Sequence, residues 1–166
     1  LQTQIDTLQS ENETLQTALN SVETAFTLLT SDFEQLQAML GLENERLRLI
    51  SNASRIVTIS GTDLAPDASA TFYTDLNGKT GLMLLQGLSP PKTNETYELW
   101  LIPAATDPIS AGTVTVAENE PAWTVVEIPS AAQNFDFIGI SRETSTWQPE
   151  NGPTSDSIVL LGSSTN

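Results

Sequence analysis

"TYELWLIP", Thr96 to Pro103, alternates for only half its length. In an extended strand Tyr97, Leu99 and Leu101 point to one side, and Glu98, Trp100 and Ile102 to the other. Past Glu98 both sides are apolar. A half-solvated strand would carry polar residues there, so this one is expected to be covered on both faces, with a loop or another chain over the second. A tryptophan between two leucines at such a position reads as core. Its rival role is a ligand platform, because Tyr73, Tyr97, Trp100, Trp123 and Trp147 together are enough aromatics for a sugar-stacking surface.

The same period of two recurs on either side. "RIVTISG", "SATFYTD", "TGLMLLQG", "AGTVTVA", "WTVVEI", "FDFIGIS" and "DSIVLLG" join "ETYELWLI" as short runs separated by Pro, Gly and Asn. Asn77-Gly78 between the second and third is a hairpin signal. No segment between the runs has a helical period. Residues 51–166 are therefore predicted to form an all-β antiparallel sandwich or Greek-key domain of about eight strands.

Residues 1–50 follow another rule. They hold no proline and one glycine, Gly41, whereas all nine prolines and eight of the nine glycines lie beyond. Leu1, Ile5, Leu8, Asn12, Leu15, Leu19, Val22, Phe26, Leu29, Phe33, Leu36 and Leu40 recur in alternating steps of four and three. This is the 3.5-residue repeat of a left-handed coiled coil, about 60 Å long at about 1.5 Å per residue. Ile5, Asn12, Leu19, Phe26, Phe33 and Leu40 take the a positions; Leu1, Leu8, Leu15, Val22, Leu29 and Leu36 take d. Asn12, the one polar residue of the seam, favours a parallel dimer, because each amide is satisfied only by its counterpart. Two phenylalanines at a, with Ala18 and Ala25 at g, leave room for a higher oligomer. The pattern weakens after Leu40, where Glu43 falls on d, so Gly41 to Ser54 reads as the end of the rod and the junction. The expected domains are a stalk helix with its junction over 1–50 and a β domain over 51–166. A start in mid-pattern suggests that an upstream part is missing.

Composition narrows the chemistry. Twenty-one acidic against six basic residues give a net charge of −15, which disfavours phosphate backbones and anionic lipid. No histidine and no cysteine occur, so His-dependent nucleophile systems, disulfides and thiolate metal sites are absent. No apolar run approaches the roughly 18 residues of a membrane span. Ser89-Pro-Pro-Lys92 matches an S-x-x-K string, but two prolines forbid the helical turn that would align Ser with Lys. Asp75 to Lys79, "DLNGK", starts like a calcium loop; Lys79 and Gln86 occupy positions that should carry ligands, so a hairpin turn explains it better. Glu118, Glu120 and Glu127 could supply a carboxylate pair, yet with no matching basic or aromatic constellation they read as solvated. The predicted catalytic, cofactor and metal sites are none.

Taken in order, "RIVTISGTDLAPDASATFYTDLNGKTGLMLLQGLSPP", "TYELWLIP", "SAG" at Ser110 to Gly112 and a closing "GP…SIVLLG" resemble the C-terminal domain of the anti-sigma-K factor (RskA) family, over Arg55 to Gly162. The most specific pieces are Tyr97, Glu98, Leu99, Trp100, Leu101 and Ile102, with Gly152-Pro153 and Ile158 to Gly162. Where such proteins usually carry an "EPxGGSPxPTGPIV"-like loop, this chain has the longer "RETSTWQPENGPTSDSIV" with Trp147. The resemblance implies a non-enzymatic regulatory or sensory domain on the extracytoplasmic side of a bacterial membrane. It also implies a single membrane span and a cytoplasmic module outside these residues, the module sequestering a sigma factor until staged proteolysis releases it. The coiled coil would add self-association and lift the β domain off the membrane. The reading from another class is a stalked cell-surface module for wall polysaccharide, which requires exposed, coplanar aromatics that include Trp147.

Overall fold

The computed structural model describes residues 1–118 and 121–164. The chain divides into two compact units, Leu1–Glu45 and Arg46–Asn166. One α-helix, α1 (Gln2–Ser51), accounts for the whole first unit and the start of the second. Among the described residues no helix is long and apolar enough to cross a membrane.

The helix runs through Gly41 and ends at Ser51, later than the sequence pattern suggests. One glycine costs a helix only about 1 kcal/mol. The residues after it, from Leu42 to Arg48, are mostly strong helix formers. Burial of Leu49 fixes the last turn, and Arg46 lies 5.2 Å from the centre of the Trp123 ring. Tertiary packing thus carries the helix past the point where its heptads fade.

Eight antiparallel strands follow: β1 (Arg55–Gly61), β2 (Ser69–Thr74), β3 (Thr80–Gln86), β4 (Glu95–Ile102), β5 (Ile109–Val114), β6 (Ala122–Glu127), β7 (Phe137–Thr144) and β8 (Ile158–Ser163). They make one sheet in the order β5-β4-β7-β8-β1-β2-β3-β6. Its end strands β5 and β6 lie beside each other, so the sheet is nearly a barrel rather than a two-sheet sandwich. With β7 next to β4 and β6 next to β5, strands β4 to β7 make a Greek key. Two short 3-10 helices, Ser130–Ala132 and Pro149–Asn151, sit in connections where the sequence showed no helical period. Three residues leave no room for a period to appear.

Alternation fills the interior. Val57 and Ile59, Phe72, Met83 and Leu85, Leu99 and Leu101, and Ile138 and Ile140 belong to one buried cluster. Phe72 meets Phe135 edge-on at 5.9 Å, and the Arg55 guanidinium lies over Phe135 while donating to its carbonyl. Asp75 closes the β2–β3 hairpin: one carboxylate oxygen accepts the amides of Lys79 and Thr80, at 2.8 and 3.0 Å. These bonds hold the Asp75 carboxyl below the ordinary aspartate value, that from Thr80 most of all. The calcium-like start of "DLNGK" is therefore a turn. Ser89 to Lys92 is an irregular, largely exposed loop, and Ser89 contributes only its carbonyl, to the Tyr97 hydroxyl.

Candidate functional site

Two surfaces stand out, one in each unit. The first is the seam of α1. Leu1, Ile5, Leu8, Leu15, Leu19, Val22, Phe26, Leu29, Phe33, Leu36 and Leu40 are all exposed in the single chain, from 45% for Ile5 to 96% for Leu1. The polar side of this helix is rich in threonine. Thr7, Thr14, Thr17, Thr24, Thr27 and Thr30 turn their hydroxyls back onto carbonyls four residues earlier, which relieves none of the exposed apolar surface. Most of the stability of a protein helix comes from packing its apolar face, and in the single chain this seam is exposed.

The second surface is the outer face of β4 and β7. Trp100 is fully buried there, outside the interior cluster. Its cover is the β7–β8 connection, residues 145–157: Trp147 meets Trp100 edge-on at 5.5 Å, with the rings at 80°. Trp147 is itself pinned, its indole N–H donating to the Gly152 carbonyl at 2.9 Å. Gly152 has φ +71°, a conformation that side chains resist, which explains a glycine ahead of Pro153 at the turn of the cover. Tyr97, Leu99 and Leu101 face the interior and are buried; Ile102 is half-buried. The aromatics do not form a flat platform: Tyr97 and Trp100 are buried, and the Trp100 and Trp147 rings are nearly perpendicular.

Beneath the cover lies a polar network that the sequence did not announce. Glu98 and Glu143 are each only 2% exposed. Glu98 pairs across the ladder with Ser141, and Thr96 with Glu143, so the two carboxylates are diagonal neighbours. The Trp100 indole N–H donates to the Ser141 hydroxyl at 2.8 Å. Glu143 accepts the Thr154 amide at 3.0 Å, the Thr154 hydroxyl, and the Ser157 hydroxyl at 3.0 Å. Glu98 accepts the Ser110 hydroxyl, whose oxygen also receives the Gly112 amide at 3.1 Å. This gives "SAG" a physical reason. The β4–β5 register shifts between Leu99 and Trp100, and Gly112 at φ +108° absorbs the bulge that aims Ser110 at Glu98.

The two acids respond in opposite directions. Burial pushes the Glu98 carboxyl above the ordinary glutamate value; Ser110 pulls it back, and the charge of Glu143 adds to the rise. Burial alone would raise Glu143 too. The hydroxyls of Ser141, Thr154 and Ser157, with the Thr154 amide, more than offset it and hold Glu143 below that value. Both carboxylates are buried in the folded chain. Glu118 and Glu127 are exposed, and Glu120 lies outside the described residues. Among the described residues no group of three or more metal-binding side chains occurs.

Alternation gave the sidedness of Glu98 but not its burial, and nothing in the sequence singled out Glu143. The one available signal was the Ser/Thr-rich stretch after it, which supplies the donors.

Comparison with known proteins adds a family. Residues 4–157 match the family described as "Anti-sigma-K factor rskA, C-terminal". Proteins named "Anti-sigma-K factor RskA" from Mycobacterium tuberculosis, strains Erdman and Oshkosh among them, are 33% identical over 100 residues, 60% of this chain. The chain spans 42% of the length of these relatives.

Proposed function

The chain belongs to the family of anti-sigma-K factor RskA C-terminal domains, and we propose that it is the extracytoplasmic regulatory domain of a membrane-anchored anti-sigma factor, self-associating through α1. In this reading residues 1–50 are a coiled-coil stalk and residues 51–166 the regulatory β domain. The full protein adds a membrane span and a cytoplasmic module that holds a sigma factor until proteases release it. The family match over nearly the whole chain is the observation that carries the regulatory role.

The exposed seam supports self-association. Burying a large apolar side chain contributes about 1.5–3 kcal/mol, and even about 1 kcal/mol apiece for these partly exposed ones accumulates over eleven residues on each chain. Association costs about 4–15 kcal/mol, so the seam wins. Asn12 within it favours two parallel chains, an arrangement that suits two neighbouring membrane anchors.

Sedimentation equilibrium at micromolar concentration tests the stalk, with a dimer or a higher closed oligomer expected. A monomer would sink the self-association and leave the family role standing. Coding sequence upstream of Leu1 tests that role separately: it should specify an apolar segment of about 20 residues, preceded by a small helical module. A secretion leader directly ahead of the stalk would overturn the anti-sigma reading.

A further inference from the structure

Glu143 accepts three hydrogen bonds on its two oxygens, all from the β7–β8 connection: the Thr154 amide, the Thr154 hydroxyl and the Ser157 hydroxyl, the last shared with the Thr154 carbonyl at 2.7 Å. The Ser141 hydroxyl, which receives the Trp100 indole N–H at 2.8 Å, also helps to lower the Glu143 pKa. Protonation removes the charge that strengthens all three bonds. Besides these bonds, the connection is held down by the edge contact of Trp147 with Trp100 and by the Ser145 amide on the Asn94 carbonyl, at 2.9 Å.

The charged surroundings are sparse. From β4 the facing group is Glu98; β5 offers the Ser110 hydroxyl and no titratable side chain; β8 offers none. On β7, Arg142 acts on Tyr97, which faces the interior, on the opposite side of the strand from Glu143. The connection's own acids, Glu150 and Asp156, are exposed. No basic side chain enters the electrostatics of Glu98 or Glu143 among the described residues. Hydroxyls and one amide therefore stabilise the Glu143 charge, and all of them except Ser141 sit on the segment that this charge fastens.

We propose that residues 145–157 are a proton-operated strap: ionised Glu143 fastens them over Trp100, and protonation of Glu143 releases them while the barrel stays folded. The inference stands on the network alone and does not depend on the regulatory reading above. Its sign follows from linkage. Because the folded chain depresses the Glu143 pKa, the fastening is fully present above the ordinary glutamate value, about 4.3, and is lost as pH falls through the lower, folded value. Glu98 runs the other way: its raised pKa means that it takes its proton first on acidification, and by then it no longer repels Glu143. Release uncovers Trp100 and turns the strap into an exposed segment open to proteases.

The test is tryptophan emission of the full chain from pH 7 to pH 3, in a Trp123→Phe background so that only Trp100 and Trp147 report. A red shift with a midpoint below the ordinary glutamate value, while the far-ultraviolet circular dichroism holds, is expected. Glu143→Gln should show the acid-form emission already at pH 7. Glu98→Gln, which imitates the protonated acid, should keep the strap closed at pH 7 and the acid midpoint unchanged. Glu143→Gln with the parent's neutral emission, Glu98→Gln with an open strap, or emission and dichroism changing together in the parent would each overturn the proposal. Should Glu143→Gln fail to fold, hydrogen exchange in the unsubstituted chain still tests it. The protection factor of the Thr154 amide should fall about tenfold or more on acidification, as expected for loss of a bond to a charged group, while that of Leu99 holds. Equal losses at both amides, or none at Thr154, would sink the strap.

Discussion

Helix α1 and the barrel solve the same problem by opposite means. In the barrel most large apolar side chains are buried within the chain, and the outer face has covers of its own: Trp147 over Trp100, and the last turns of α1 beside Trp123. In α1, fourteen large apolar side chains stay exposed. The barrel closes on itself because a curled sheet has an inside. A lone helix has none, so its apolar seam is informative about a partner in a way that a scattered surface leucine such as Leu76 is not.

The difference can be broken most forcefully at Trp100. If its outer-face site packs as tightly as the interior, Trp100→Ala should destabilise the β domain by about 3–5 kcal/mol in denaturant unfolding, without changing the oligomeric state. A variant of parental stability would mean that the cover contributes nothing and that the outer face resembles the helix surface.

Asn12→Leu sharpens the other side. Within an oligomeric seam it should stabilise the helical transition by about 1–3 kcal/mol, by removing a buried amide, and should broaden the distribution of oligomers. Thermal unfolding with sedimentation reads both, and the β-domain transition should not move. No change in either would place Asn12 outside any seam.

The smallest effect belongs to the β2–β3 turn. Asp75→Ala removes an acceptor of two amides at a half-buried turn and should cost about 0.5–1.5 kcal/mol. Because the folded chain lowers the Asp75 pKa, the parent's advantage over the variant should be present above the ordinary aspartate range and fade as pH falls through it. A difference that grew on acidification would contradict the assignment of those bonds.

Much of this was legible in the residues. Each of the eight runs of period two corresponds to a strand, and "DLNGK" gave its hairpin, because both signals are local: a pleat sorts side chains by parity, and an Asx turn needs only its own five residues. The family motifs were readable for the same reason, as short strings of fixed order. The helix end was not legible, because Leu49 is held by packing that no heptad encodes. Nor was the outer-face network. Glu98 is separated from Glu143 by forty-five positions, and a buried, hydroxyl-satisfied glutamate looks in sequence like any solvated one.

By itself the sequence determined the two periods, and with them a helix followed by antiparallel strands, together with the chemistry that a chain lacking histidine and cysteine cannot perform. Those follow from residue type and spacing along the chain. The tertiary structure alone decided that one sheet curls into a near-barrel, that Trp100 lies beneath Trp147, and that Glu98 and Glu143 share a dry face. Strand order, and therefore which distant side chains become neighbours and lose their water, is set by how the whole sheet closes and not by any local run.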